Sequence, residues 1–464
     1  MSAGASILST AAPVETRLRF RRAVALLVMT VLVPGSAQLM AGSRRVGLIA
    51  VRLFAAGAIF TAVLAGVGLV WRTELMRLLT TLQFLSLLRI GLIAYAVGWA
   101  YLIVDAWRIA DPLGLGQRQR LGLTALNGLV CLGLSGSLLF ASHIVAVQRD
   151  FIATVFAGTD VSAVEGGRYN VLLLGGDAGP TRVGIRPDSI TVASVDAETG
   201  RAVLFGLPRN LANTPFPQGT PMDRRFPNGF DCDGCYLNGV NTWANDHADL
   251  FPHTDEPGIE ATTQAVEKIT GLPINYYVLI DLKGFQDLVD AVGGVTIKVG
   301  ERIPIGGVGA PITGWIDPGR QHLDGFETLW YARSRATSDD YSRMARQKCV
   351  LNAMLQQLDP KTVVTNFGDI AAAGKQIIST SIPSSQLATL VNLAMKTRSL
   401  PVATVSFVPP AIDTGDPDYA QIRTMVSQAL DKAEAKDAGT PMSGPRRHHG
   451  RSDANDSSDL ATSC

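Results

Sequence analysis

Charge is scarce in this chain and almost cancels. Asp, Glu, Lys and Arg make up 17% of its 464 residues, and 41 basic against 40 acidic side chains leave a net charge of +1. That balance gives no bulk attraction for nucleic acid, and no helix-turn-helix or basic face supplies a local one. Histidine is sparse: His143, His247, His253 and His322 are scattered and read as structural, and His448 and His449 fall in a polar tail. No P-loop, no Ser/His/Asp order and no zinc signature is present, so the usual motifs of nucleotide and serine hydrolysis are missing.

Cysteine is also limited, to five. Cys131 lies in an apolar stretch, Cys464 in the tail, and Cys349 reads as a buried apolar position. Cys232-Asp-Gly-Cys235 is compatible with half a zinc site, a redox pair or a small closed loop. No second CxxC or HxxxH partners it and no thioredoxin-like βαβ surrounds it, which favours a Cys232–Cys235 disulfide in an oxidising compartment.

What the chain has in plenty is apolar sequence, 47% overall and concentrated before Asp150. Four stretches stand out, at residues 23–41, 46–71, 84–106 and 121–147. The last three are long enough to cross a bilayer as helices. The first is interrupted by Pro34-Gly35-Ser36. A cleaved signal peptide fits poorly, since further spans follow. Basic clusters flank these stretches: Arg17, Arg19, Arg21 and Arg22, then Arg44 and Arg45, then Arg108, Arg118 and Arg120. If the first stretch dips in and returns, the positive-inside rule places all three clusters in the cytoplasm. A full crossing would misplace one of them. The preferred division is a cytoplasmic segment 1–22, a membrane region 23–147 with a re-entrant or short first segment and three spans, a connector 148–168, an extracytoplasmic domain 169–435 and a disordered tail 436–464. No acidic residue lies mid-span, which argues against a transport path.

Within the domain, the apolar run from Asn170 to Leu174 ends in Gly175-Gly176-Asp177 and suits a buried strand followed by a loop. Residues 189–195 and 201–207 form a hairpin about the turn Asp196-Ala-Glu-Thr-Gly200. Pairing about residue 198 sets Asp188 beside Arg209 at one rim, and a first strand parallel to the third brings Asp177 there too. Two carboxylates and an arginine at one strand end suit a divalent cation with phosphate oxygens. Residues 210–253 form a long irregular loop in which Asn238 either reaches a ligand or caps a helix. A helix at 258–271, a strand at 275–282, a helix at 283–293 closed by Gly-Gly and a strand at 295–299 follow. The class is α/β, an α-β-α domain with a mixed central sheet, preceded by an α-helical multi-span membrane region.

Charge is concentrated where a core belongs, between Gln321 and Leu358. Arg333 and Arg335 end a short helix or strand, and Arg343, Arg346 and Gln347 share one face of the helix that Asp340 opens. Converging guanidiniums repel unless an anion lies between them, and their forked donors suit phosphate. A solvated charged face or a set of structural Arg–Asp pairs is the plainer alternative.

In order, Asn170-Val-Leu-Leu-Leu-Gly-Gly-Asp177, Arg186-Pro-Asp188, Leu207-Pro-Arg209, Ile280-Asp-Leu-Lys-Gly-Phe, His322-Leu-Asp-Gly, Ala332-Arg-Ser-Arg335 and Asp340-Tyr-Ser-Arg-Met-Ala-Arg-Gln347 resemble the LytR-CpsA-Psr proteins of bacterial envelopes. The resemblance implies a membrane-anchored phosphotransferase that moves a glycopolymer from a polyprenyl-pyrophosphate carrier to a peptidoglycan hydroxyl. It implies Mg²⁺ or Mn²⁺ on Asp177 and Asp188, a pyrophosphate grip from Arg186, Arg209, Arg333, Arg335 and Gln347 with Arg343 and Arg346 in support, and an apolar tunnel for the lipid. Asp188 is also the candidate for assisting deprotonation of the acceptor. The pattern departs at Pro187, where serine is usual, at Asn210, where an acid is common, and at Arg182, an arginine delayed from its usual place. The Gly-Gly-Asp-Ala-Gly-Pro variant and the Cys-containing loop look like actinobacterial members, which puts an arabinogalactan-like polymer ahead of teichoic acid. Two other readings stand beside this one: a polyprenyl-pyrophosphate phosphatase with water as acceptor, and a non-catalytic envelope sensor or transcription attenuator.

Overall fold

The computed structural model describes residues 8–41, 43–156, 162, 164, 166–177, 186–307, 310–357, 370, 378–437 and 459–460. The chain divides between Asp150 and Phe151 into two compact units.

The first unit is helical: α1 (Leu8–Leu32), α2 (Ser36–Ala41), α3 (Arg44–Val70), α4 (Arg72–Thr80), α5 (Leu82–Ile109) and α6 (Gln117–Val155). Helices α3, α5 and α6 are long and apolar enough to cross a membrane, and they coincide with the last three apolar stretches of the sequence. Helix α1 stops before residues 33–35, where Gly35 takes φ +96° and a Cβ would lie 2.7 Å from Gly47 O. Only glycine allows that turn. The turn lets α2 lie against α5, where the buried Gln38 amide donates to Leu102 O (3.0 Å) and Asp105 Oδ2 (3.2 Å). Residues 148–155, read from sequence as the start of a connector, continue α6 instead.

The second unit is built on β1 (Arg168–Asp177), β2 (Arg186–Asp196), β3 (Ala202–Leu207), α7 (Pro221–Arg225), α8 (Gly239–Asp246), α9 (Pro257–Thr270), β4 (Tyr276–Asp281), α10 (Leu282–Ala291), β5 (Val295–Val299), β6 (Ile303–Gly307), β7 (Ala310–Ile316), β8 (Gly319–Leu323), α11 (Gly325–Arg333), α12 (Asp340–Gln357), β9 (Ile378–Thr380), α13 (Ser384–Arg398), β10 (Ala403–Ser406) and α14 (Tyr419–Asp437). The main sheet has the order β10-β3-β2-β1-β4-β9. Strand β1 is antiparallel to β2 and parallel to β4, and β3 is parallel to β10, so the sheet is mixed. Alternating apolar residues give it two buried faces. Leu172, Val192 and Phe205 pack on α8, α9 and α14 through Val240, Ala265 and Ile422. The opposite face looks onto α10, α11 and α12, which share a second core with the small sheets β5–β8 and β6–β7. The architecture is the α-β-α sandwich expected from the sequence.

The hairpin register is the expected one. Ile190 stands across from Leu207, and two further steps bring Asp188 and Arg209 together. Strand β1 runs parallel to β3, and its end residue Asp177 pairs with Arg186. Other local expectations change. Strand β5 pairs with β8, outside the main sheet. The 210–253 stretch is not uniformly irregular, since it holds α7 and α8 and bridges Ala212 to Tyr236. The segment before Arg333 is a helix, opened by a capping box between Asp324 and Glu327. Cys232 and Cys235 form a disulfide, and buried Cys349 is disulfide-bonded as well. In the stretch read as a disordered tail, Leu460 is buried and its N–H donates to Val402 O (2.8 Å).

Candidate active site

The site is assembled by two elements whose ends meet. The β2–β3 hairpin delivers Asp188 and Arg209, and α12 delivers Asp340 and Arg343. Asp339 caps α12, its Oδ1 accepting from Ser342 N (2.7 Å), and the Ser342 hydrogen bonds hold its carboxyl below the usual range. With the cap supplied by its neighbour, the Asp340 carboxylate is free to turn toward the arginines.

There it is a hub. Asp340 Oδ1 lies 3.2 Å from Arg209 Nε and 3.7 Å from Arg335 Nη1, and Oδ2 lies 3.0 Å from Arg343 Nη2. Asp188 Oδ1 pairs with Arg209 and lies 3.9 Å from Arg343 Nη1. Arg343 Nη2 also donates to Asp188 O (2.9 Å). Three guanidiniums thus face two carboxylates. Burial lowers the Arg343 pKa from its ordinary value, while Asp340 and Asp188 raise it. Arg343 Nε is buried without a hydrogen-bond partner among the described residues. Excess positive charge and an unused donor fit an anion with several oxygens.

Beside this cluster opens an apolar cavity of about 550 Å³ between the sheet and helices α10 to α12. Leu173, Val278, Phe285, Leu288, Leu351 and Met354 line its greasy part, and Asp188, Arg333, Arg335, Arg343 and Gln347 its charged part. The cavity opens to solvent, and a cleft lined mostly by apolar side chains with a few convergent charged groups is the usual form of a ligand site, so it is read as a place for an occupant.

The sequence-derived candidates fall into groups. Asp188, Arg209, Arg335 and Arg343 meet in the ion cluster. Arg333 is exposed, 5.0 Å from the Trp330 ring it stacks on. Gln347 lines the cavity and donates to Ala332 O (3.3 Å). Arg346 does not line it: its guanidinium donates to Tyr331 O (2.8 Å), to Ser334 O and to Ser338 Oγ (3.2 Å), so it fixes the backbone of the loop that carries Arg333 and Arg335. Asn238 makes no side-chain cap, and its backbone N–H donates to Arg209 O (3.0 Å). Arg186 is exposed and makes no ion pair among the described residues. Arg182 and the side chain of Asp177 lie outside the described residues.

Sequence reasoning missed Asp340 as a hub and missed Asn210 and Ser338, which line a second, polar cavity. A signal for the first existed: of the doubled Asp339-Asp340, one residue caps and the other stands three before Arg343. For a divalent cation, Asp188 offers a carboxylate 38% exposed beside the cluster. Among the described residues no three of His, Cys, Asp and Glu converge. A Mg²⁺-like ion that takes one or two carboxylates and completes its shell with substrate oxygens fits this donor set.

A family model, described as the LytR_cpsA_psr family, matches residues 148–410. A polyisoprenyl-teichoic acid–peptidoglycan teichoic acid transferase, TagU of Oceanobacillus iheyensis, is 26% identical over 225 residues, which are 48% of this chain and 61% of that one. TagU of Bacillus cereus is 30% identical over 132 residues, 28% of this chain and 42% of that one. The chain thus spans less than two thirds of these relatives. Among solved structures, TagV of B. subtilis is 21% identical with a TM-score of 0.43, covering 58% of this chain and 98% of that one.

Proposed function

The chain belongs to the LytR-CpsA-Psr family, and on that premise we propose that it is a membrane-anchored phosphotransferase. It moves a glycopolymer from a polyprenyl-pyrophosphate carrier to a hydroxyl of peptidoglycan. One observation carries this reading: a cluster of three arginines with an unused donor at the charged end of an apolar cavity of about 550 Å³. Few ligands join a multiply charged head to a long apolar tail, and a polyprenyl pyrophosphate is one. The names of the curated relatives support the same class.

Displacement at phosphorus asks the protein to neutralise charge and to position the attacking oxygen. In this reading Arg335 and Arg343 grip the pyrophosphate, with Arg209 held at their side by Asp340 and Asp188. Arg333, Gln347, Arg186 and Arg182 extend the grip, Asn238 holds the backbone of Arg209, and Arg346 fixes the loop behind it. Mg²⁺ or Mn²⁺ belongs to the proposal, held by Asp188 with Asp177 and supplying further charge neutralisation on the phosphates. The polymer is proposed to be arabinogalactan-like, on the strength of the Gly-Gly-Asp-Ala-Gly-Pro variant and the Cys232–Cys235 loop. In this reading the three apolar helices, long enough to cross a bilayer, anchor the chain in the bacterial cell membrane, and the positive-inside rule supports an extracytoplasmic catalytic domain.

The test uses the full chain in detergent with a synthetic polyprenyl-pyrophosphate glycan, uncrosslinked peptidoglycan strands and Mg²⁺. Glycan linked to the strands, lost in Arg335→Ala and on chelation, is the expected result. Release of polyprenyl phosphate without linkage would replace the reading with a phosphatase. Donor binding without any turnover would replace it with a sensor.

A further inference from the structure

The polar cavity, of about 340 Å³, is walled by Arg209, Asn210, Arg335, Ser338 and Asp340. Arg335 belongs to both cavities, whereas Asp188, Arg343 and Gln347 line only the apolar one and Arg209, Asn210 and Asp340 only the polar one. The ion cluster is therefore a partition with a different chemistry on each side.

Two acceptors in the polar wall are left over. Asn210 donates through Nδ2 to Thr414 Oγ1 (3.2 Å), which Tyr341 Oη also meets (2.9 Å), so the amide is held from behind. Its Oδ1 is buried with no hydrogen-bond partner among the described residues. Asp340 Oδ1 is near Arg209 and Arg335 in distance (3.2 and 3.7 Å), but neither guanidinium meets it with hydrogen-bond geometry, and it too is left without such a partner. Charge attraction holds the carboxylate in place while its lone pair stays unused. Buried acceptors are expensive to leave unmade, and the two residues that carry them line one small cavity, which suits a ligand bearing several O–H donors.

We propose that the polar cavity is the acceptor site, and that it takes a saccharide of the acceptor glycan with hydroxyls donating to Asp340 Oδ1 and Asn210 Oδ1. The inference rests on the transferase reading and deepens it. The acceptor hydroxyl approaches phosphorus opposite the leaving oxygen; the leaving polyprenyl phosphate belongs to the apolar cavity, and the polar cavity adjoins it across Arg335. A new bond forms between the acceptor oxygen and the phosphorus that bears the glycan. The bond from that phosphorus to the bridging oxygen breaks, and its electron pair leaves with polyprenyl phosphate. The hydroxyl proton passes to Asp340 Oδ1 and on to the departing phosphate, which balances the exchange. Asp340 thereby takes the proton-accepting part that the sequence suggests for Asp188, whose Oδ1 accepts a hydrogen bond from Arg209, whereas Asp340 Oδ1 accepts none among the described residues.

The test is steady-state transfer by the full chain in detergent, with the synthetic donor and uncrosslinked peptidoglycan strands varied in turn. Asn210→Leu is expected to raise KM for the strands about tenfold while KM for the donor stays within twofold. Asp340→Asn is expected to lower kcat about 10²-fold, in the range of a lost general base. Asp340→Asn leaves three arginines short of a charge, so Asn210→Leu decides the matter if that variant does not fold. An unchanged strand KM in Asn210→Leu, or a donor KM that rises in step with it, overturns the acceptor site and leaves the transferase standing. A wild type that transfers nothing to the strands overturns both.

Discussion

Arg343 and Arg346 stand three residues apart on α12, and both are buried, at 2% and 7% exposure. Burial pulls both guanidiniums below their ordinary value. They meet the cost of desolvation in different ways. Arg343 faces the carboxylates of Asp188 and Asp340, and it keeps an unused Nε at a cavity wall. Arg346 is held mainly by the carbonyls of Tyr331 and Ser334 and the hydroxyl of Ser338, with Glu301 a distant 3.8 Å away. Carboxylate partners leave a charge that an incoming anion can compete for. Carbonyl partners fix a shape. One helix turn therefore carries an arginine paired with carboxylates and an arginine braced mainly by carbonyls, and the two look alike in the sequence.

Removing each residue separates the two roles. Arg343→Ala is expected to lower glycan transfer about 10²–10³-fold, the range for losing one preorganised donor to a developing oxyanion, read as kcat/KM with the synthetic donor. Arg346→Met is expected to act on stability first. It removes the guanidinium donors of the Tyr331 and Ser334 carbonyls, at about 1–3 kcal/mol each, and a fall in melting temperature on the order of 4–24 °C should follow. A variant that melts like wild type yet cannot transfer would collapse the distinction. Arg333→Ala sharpens it from outside: an exposed guanidinium stacked on Trp330 contributes roughly 0.5–1 kcal/mol, so stability should hardly move while donor KM rises about fivefold.

The smallest expected effect is in alkali. Burial pushes the Tyr331 phenol up to about 12 against an ordinary value of 10, with Arg346 opposing and Glu301 assisting the rise. The neutral phenol is the form the fold favours, so its contribution is complete below pH 10 and is lost as pH rises through about 12. Melts at pH 9.5 and pH 11 should fall less for Tyr331→Phe than for wild type, by the equivalent of about 1 kcal/mol.

The legible parts of this molecule are those fixed by short-range rules. The turn at Asp196 to Gly200 sets a register, and the register alone puts Asp188 beside Arg209. Helical spacing puts Arg343 and Gln347 on one face. The illegible parts depend on partners without a sequence identity. The groups that claim Arg346 are mostly backbone carbonyls of a loop, which any residues could supply. The hairpin of β6 and β7 was not read, because its key positions are glycines. Gly307 takes φ +113°, and a Cβ there would lie 2.3 Å from Ala336 Cβ, so the hairpin packs directly on the arginine-bearing loop. Asn210 was read only as a missing acid, and its cavity needed Thr414, some two hundred residues away, to define it.

The size of the apolar cavity has a consequence of its own. A space of about 550 Å³ acts as a ruler for whatever chain enters it. On the transferase reading proposed above, isoprene units beyond its capacity would lie outside it, so donors that differ solely at the distal end should behave as one substrate.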